Sequence, residues 1–252
     1  MMRFLIPLLV LAAPLHAAPM AGDTNRFAAC STLARSNPGR AIATAQAWRI
    51  EGGGILARHC LALAQFEARD YPSALASFEA AARLAEEAPD TRAQALMLWR
   101  AGANAALLAG TPAPVPGFID AALLLEPAVP EAALLHLLAV EALADLKREA
   151  EAMTRLDKAL ALDPAVPDGW LLKATLARRM NNLPLAETAI LQAAAQDSES
   201  AEIRYEAGTI AAARGKLDLA RAAWTAAISI DPESLAGQAA KAALAANPAL
   251  VP

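Results

Sequence analysis

Aromatic side chains are scarce, at 4% of the 252 residues, so the 56% hydrophobic content comes mainly from alanine and leucine. That composition suits close-packed helices, and the length is ample for burying a core of one or two domains. No block of lysine or arginine runs along the chain and the formal net charge is -4. A nucleic-acid partner is therefore not expected, since nothing is built to track a phosphate backbone.

Groups that carry chemistry are equally thin. Only three histidines and two cysteines occur. His59 and Cys60 are neighbours, but successive helical residues point about 100° apart, so they do not face each other as base and nucleophile. Cys30, Cys60, His59 and His136 lack the short paired spacings of a zinc site. The Gly52-Gly53-Gly54 run is followed by no Gly-Lys-Ser or Gly-Lys-Thr and reads as a link between helices, not as a phosphate cradle. Acidic pairs such as Glu86-Glu87 and Glu149-Glu151 read as solvated helix faces. The expectation is a non-enzyme without cofactor or metal.

Long apolar runs are confined to the start. Arg3 precedes the stretch Phe4 to Ala18, which ends in the small pair Ala17-Ala18. Residues 1–18 read as a signal peptide cleaved near Ala17, with 19–26 as a short linker and no transmembrane segment in the mature chain. Phe27-Ala28-Ala29-Cys30 imitates a lipidation box, but Asp23 and Arg26 separate it from the apolar stretch. Export to the periplasm changes how Cys30 and Cys60 read. Both fall on helices expected side by side near the N-terminal end, so a structural disulfide is favoured, with two buried thiols as the alternative.

Punctuation reveals a repeat. Glu126-Pro127, Asp163-Pro164, Asp197-Ser198 and Asp231-Pro232 follow one another at spacings of 37, 34 and 34. Proline cannot continue a helix, so each step marks the end of a helical hairpin. In the last unit Gly208, Gly215-Lys216-Leu217-Asp218, Ala220, Trp224, Ala227 and Pro232 stand in a fixed order. The same order returns earlier at Trp170, Ala174, Ala186, Ile190 and Ala193, then at Val140, Ala152, Leu156, Ala159 and Pro164. A more distant unit reads Leu61, Ala62, Asp70-Tyr71-Pro72-Ser73-Ala74, Phe78 and Ala81. Small residues let paired helices approach and the bulky one fills the remaining gap; one such hairpin cannot bury its own apolar face, so several must stack.

This pattern resembles the tetratricopeptide repeat family, over about Phe27 to Ala246. The resemblance implies an all-α, right-handed superhelix (α-solenoid) of about six hairpins with a C-terminal capping helix. Degenerate hairpins are expected at 27–129, regular ones at 130–232, and the cap and tail at 233–252. Lys173 and Gln65 depart from the family by standing where an apolar side chain is usual.

In that family the first helix of each hairpin lines an inner groove that grips a protein or peptide segment. Carried over, the lining is His59, Leu63 and Phe66 in the second hairpin and Leu137, Glu141 and Asp145 in the fourth. The fifth gives Asp168, Leu171, Thr175, Arg178 and Arg179, and the sixth Tyr205 and Thr209. Arg178 and Arg179 are expected beside Glu141 and Asp145 as a mixed polar wall. Arg100 and Asn104 imitate half of the set by which some relatives hold a terminal carboxylate, but Leu138 stands where an asparagine is needed. The function implied is a protein-binding scaffold of the bacterial envelope. The alternatives are a self-associating homo-oligomer and, less favoured, an enzyme or small-ligand binder with its site between hairpins.

Overall fold

The computed structural model describes residues 21–88, 90–166 and 168–247. The proposed signal peptide, Pro167 and Pro248 lie outside the described residues. Among those described there are thirteen α-helices, in two compact units that divide between Ala93 and Gln94. None is long and apolar enough to cross a membrane. The order is that of six consecutive hairpins and a final helix, as the punctuation predicts.

The N-terminal unit contains α1 (Ala21–Ser36), α2 (Pro38–Ile50), α3 (Gly54–Glu67) and α4 (Tyr71–Glu87). Helix α1 begins earlier than expected, so residues 21–26 belong to it and not to a linker. Asn37 caps α2 by accepting from the Arg40 amide, and Asp70 caps α4 by accepting from the Ser73 amide; proline follows each cap, where its missing N–H is harmless. Cys30 on α1 is disulfide-bonded to Cys60 on α3, with Cα atoms 6.1 Å apart. Around that bond Ala45, Trp48, Ala57 and Leu61 form a buried cluster. Arg26 stacks 4.9 Å above the Trp48 ring and pairs with Glu51 at 2.6 Å. Gly53 also lies against this tryptophan: a Cβ there would collide with the indole.

The C-terminal unit contains α5 (Arg92–Leu108), α6 (Val115–Leu124), α7 (Val129–Asp145), α8 (Glu149–Leu162), α9 (Gly169–Arg179) and α10 (Leu183–Gln196). It ends with α11 (Ala201–Ala213), α12 (Leu217–Ile230) and α13 (Leu235–Ala246). Its interior is alanine with occasional bulk. Ala174, Ala177, Ala186, Ala189 and Ile190 form one cluster, and Ala220, Trp224 and Ala227 another that α13 covers with Ala240. Gly208 shows why the pattern alternates small with large, because a Cβ there would sit 2.5 Å from Trp224 Cδ1. The two departures from the repeat pattern are satisfied locally. Lys173 snorkels to Asp157 at 2.8 Å, and Gln65 accepts from the Ser77 hydroxyl at 2.6 Å.

The turns of the last five hairpins share one backbone device. Arg69, Gly110, Lys147, Asn181 and Gly215 all have positive φ, and the amide after each donates to the carbonyl five residues back: Asp70 to Gln65, Thr111 to Ala106, Arg148 to Leu143, Asn182 to Ala177 and Lys216 to Ala211. This is a left-handed helix closure that satisfies otherwise orphaned carbonyls. It also fixes the register of the third hairpin, since Gly110 answers to Lys147 at a step of 37 where later hairpins step by 34.

The joints between later hairpins share a second device. Asp163, Asp197 and Asp231 are extended, and each carboxylate accepts the amide two residues on, from Ala165, Glu199 and Glu233 respectively. An aspartate side chain mimics the backbone of a turn in this way. Glu126 does otherwise: it adopts φ 52 and closes α6 through its own amide.

Candidate functional site

Three consecutive first helices of the C-terminal unit, α5, α7 and α9, line a cleft of about 680 Å³. Its floor is apolar. Leu134, Leu137, Leu138 and Leu172 are exposed or half-buried there, above buried Val140 and Leu176. The rim is polar, with Arg100 and Asn104 from α5, Glu131, Glu141 and Asp145 from α7, and Asp168, Thr175 and Arg179 from α9 or its start.

Six residues carried over from the repeat pattern come together in this cleft: Leu137, Glu141, Asp145, Asp168, Thr175 and Arg179. Arg178 does not join them. Its guanidinium makes a two-pronged contact with Glu206 on α11, 2.7 Å from Nε to Oε1 and 3.1 Å from Nη2 to Oε2, and Glu206 is only 4% exposed. That hydrogen bond holds the guanidinium above its ordinary pKa. The two-pronged contact with the buried carboxylate inside the hairpin stack holds Arg178 away from the cleft.

Of the expected wall, Arg179 shares the cleft with Glu141 and Asp145. Arg179 pairs with Glu149 at 2.9 Å and donates to the Ala144 carbonyl at 3.2 Å. Arg100 pairs with Glu131 at 3.0 Å. Both arginines of the rim are thus engaged. The carboxylates of Glu141, Asp145 and Asp168 have neither an ion-pair nor a hydrogen-bond partner among the described residues, and Asp168 caps no amide although it stands at the start of α9.

The other predicted lining residues lie elsewhere. Leu171 borders a smaller hollow of about 190 Å³ with Trp170 and Ile203. The Thr209 hydroxyl donates to the Tyr205 carbonyl at 3.0 Å and accepts from Trp224 Nε1 at 3.4 Å, and Tyr205 packs on the Trp224 cluster. In the N-terminal unit His59 is on α3. It is buried between Phe27 and Phe78, with ring centroids at 4.7 and 6.1 Å, and burial pushes its imidazole down to about 4. Leu63 packs beside Ala34, Ala41 and Ala64, and Phe66 against Tyr71 at 5.4 Å.

Sequence reasoning passed over Leu134, Leu172 and Leu176, and met Arg100, Asn104 and Leu138 only as an incomplete carboxylate holder. Leu138 and Leu172 were within reach, because they stand one 34-residue step apart. Cys60 is bonded to Cys30 and His59 is enclosed by rings, so the adjacent pair forms no dyad. Among the described residues no three histidine, cysteine or carboxylate side chains gather as metal ligands.

Successive hairpins, most of them closed by the same left-handed turn and ended by a capping helix, give this chain the fold of tetratricopeptide-repeat proteins. Solved structures agree. It is similar to PilW, a widely conserved type IV pilus biogenesis factor, with a TM-score of 0.63 and 17% identity, covering 88% of this chain and 99% of that one. Pseudomonas aeruginosa PilF matches with a TM-score of 0.57 and 17% identity over 88% of this chain and 99% of its own. YrrB, a protein of this repeat class with an unusual peptide-binding site, matches at 0.57 and 18% identity over 78% and 96%. No family model and no curated protein matches the sequence.

Proposed function

We propose that this chain is a non-catalytic adaptor of the bacterial cell envelope that holds a segment of a protein partner in the α5/α7/α9 cleft. The carrying observation is the cleft itself, an apolar floor with a polar rim presented by three successive first helices. An interior leucine patch open to the outside is what a docked segment needs, whereas a core that served stability alone would be closed over. The repeat fold supports a scaffold role, and YrrB is a structural relative with an unusual peptide-binding site.

Export is supported by the apolar N-terminal stretch and by the disulfide, because such bonds persist in oxidising compartments. PilW, a type IV pilus biogenesis factor, supplies a precedent for this fold in pilus biogenesis. A photo-crosslinking residue at Leu137, compared in cells with one at the outward Leu191, tests the reading. Discrete protein adducts from position 137 alone are expected; equal adducts from both positions, or none from 137, overturn it. Fractionation should place the processed chain in the periplasm with its cysteines oxidised, and a cytosolic chain with free thiols overturns the location.

A further inference from the structure

We infer that the partner segment is basic and amphipathic: leucine-like side chains fill the floor of the α5/α7/α9 cleft while lysines or arginines meet Glu141, Asp145 and Asp168. This deepens the reading of the cleft as a binding groove and rests on it. The inference comes from where the unsatisfied charge lies. Arg100 and Arg179 are committed to Glu131 and Glu149, so an acidic segment would have to break two ion pairs to be recognised.

The three carboxylates, by contrast, stand where the fold gains nothing from them. Asp145 is the last residue of α7 and Glu141 is one turn before it, with no basic residue in that turn. Acid at a helix C-terminus opposes the helix dipole, and like charges four residues apart repel. Asp168 is at an N-cap, where aspartate ordinarily accepts a helix amide, yet it caps none. A cation arriving from outside relieves all three at once. Beside them the leucines of the floor supply the apolar contact area that exposed charge pairs alone do not.

The test uses the full chain and three fluorescent helical peptides of equal length, made of Leu and Lys, Leu and Glu, or Ser and Lys. Anisotropy should show the Leu/Lys peptide binding at least about tenfold tighter than either other, with affinity falling as salt rises. The E141Q/D145N/D168N variant should lose that preference while melting no lower than the parent. Leu/Lys binding that survives the triple substitution overturns the inference. Leu/Glu binding as tightly as Leu/Lys, with both lost in Leu137→Gln, overturns the charge inference and leaves the groove standing. If no peptide binds, both fall.

Discussion

The two units of this molecule solve one problem by different chemistry. Each must hold alanine-rich helices together with little bulky apolar surface. The N-terminal unit fastens α1 to α3 covalently, through Cys30 and Cys60, and encloses a neutral histidine between two phenylalanines. The C-terminal unit has no disulfide among its described residues and ties α9 to α11 with the Arg178–Glu206 pair. The first arrangement responds to redox poise and acid, the second to removal of a charge. Both units also place a glycine against a tryptophan indole, Gly53 at Trp48 and Gly208 at Trp224, so the close-packing rule itself is shared.

Breaking the covalent tie should have the largest effect. The bond closes a chain segment with a sequence separation of 30, and the loop-entropy model gives about 3–4 kcal/mol for that length. Cys30→Ser or reduction should therefore speed amide hydrogen exchange in α1–α4 and leave α9–α12 little changed; uniform loss across both units would dissolve the comparison. In the other unit, Arg178→Met leaves Glu206 buried without its cation and should destabilise α9–α11 by about 3 kcal/mol. Adding Glu206→Leu should restore most of that, measured by urea unfolding.

Acid comes next and reaches both units, since burial also pushes down the His136 imidazole on α7, but the larger shift is in the N-terminal unit. His59 titrates near 4 in the folded chain against an ordinary 6.5, so the fold retains the neutral ring. Its contribution is intact above 6.5, shrinks as pH falls because the unfolded chain takes up the proton first, and is fully lost below about 4. The span corresponds to roughly 3 kcal/mol. His59→Leu should flatten that decline in the N-terminal unit; an unchanged pH profile would place the acid sensitivity elsewhere. The smallest effect belongs to the shared rule. Gly208→Ala should cost about 2 kcal/mol through overpacking against Trp224. Gly53→Ala should do the same in the other unit, and if either is tolerated without loss in thermal melting, the two glycine contacts are not equivalent.

What the sequence showed follows from which interactions are local. Hairpin ends were readable because proline, Asp163, Asp197 and Asp231 act on the backbone within two residues. The small-and-bulky order was readable because Gly208 and Trp224 belong to a single hairpin. The direction of Arg178 was not, since its partner lies 28 residues away on another hairpin and helical spacing says nothing about which neighbour a long side chain chooses. His59 was assigned to the groove by its place in the repeat, yet Phe27 and Phe78 from two other helices close over it. The left-handed turns at Arg69 and Lys147 carry no glycine to announce them, whereas Gly110 and Gly215 do. The step of 37 was legible from Glu126-Pro127 to Asp163-Pro164, and the turns at Gly110 and Lys147 repeat it.

The aspartate joints have an implication for how such a chain changes length over time. Asp163, Asp197 and Asp231 present the same backbone ending to whatever follows, and the hairpins between them each occupy 34 residues. Duplication or excision of one such module leaves an identical seam. The array can therefore grow or shorten by whole hairpins without inventing a new connection, and α13 closes whichever module comes last.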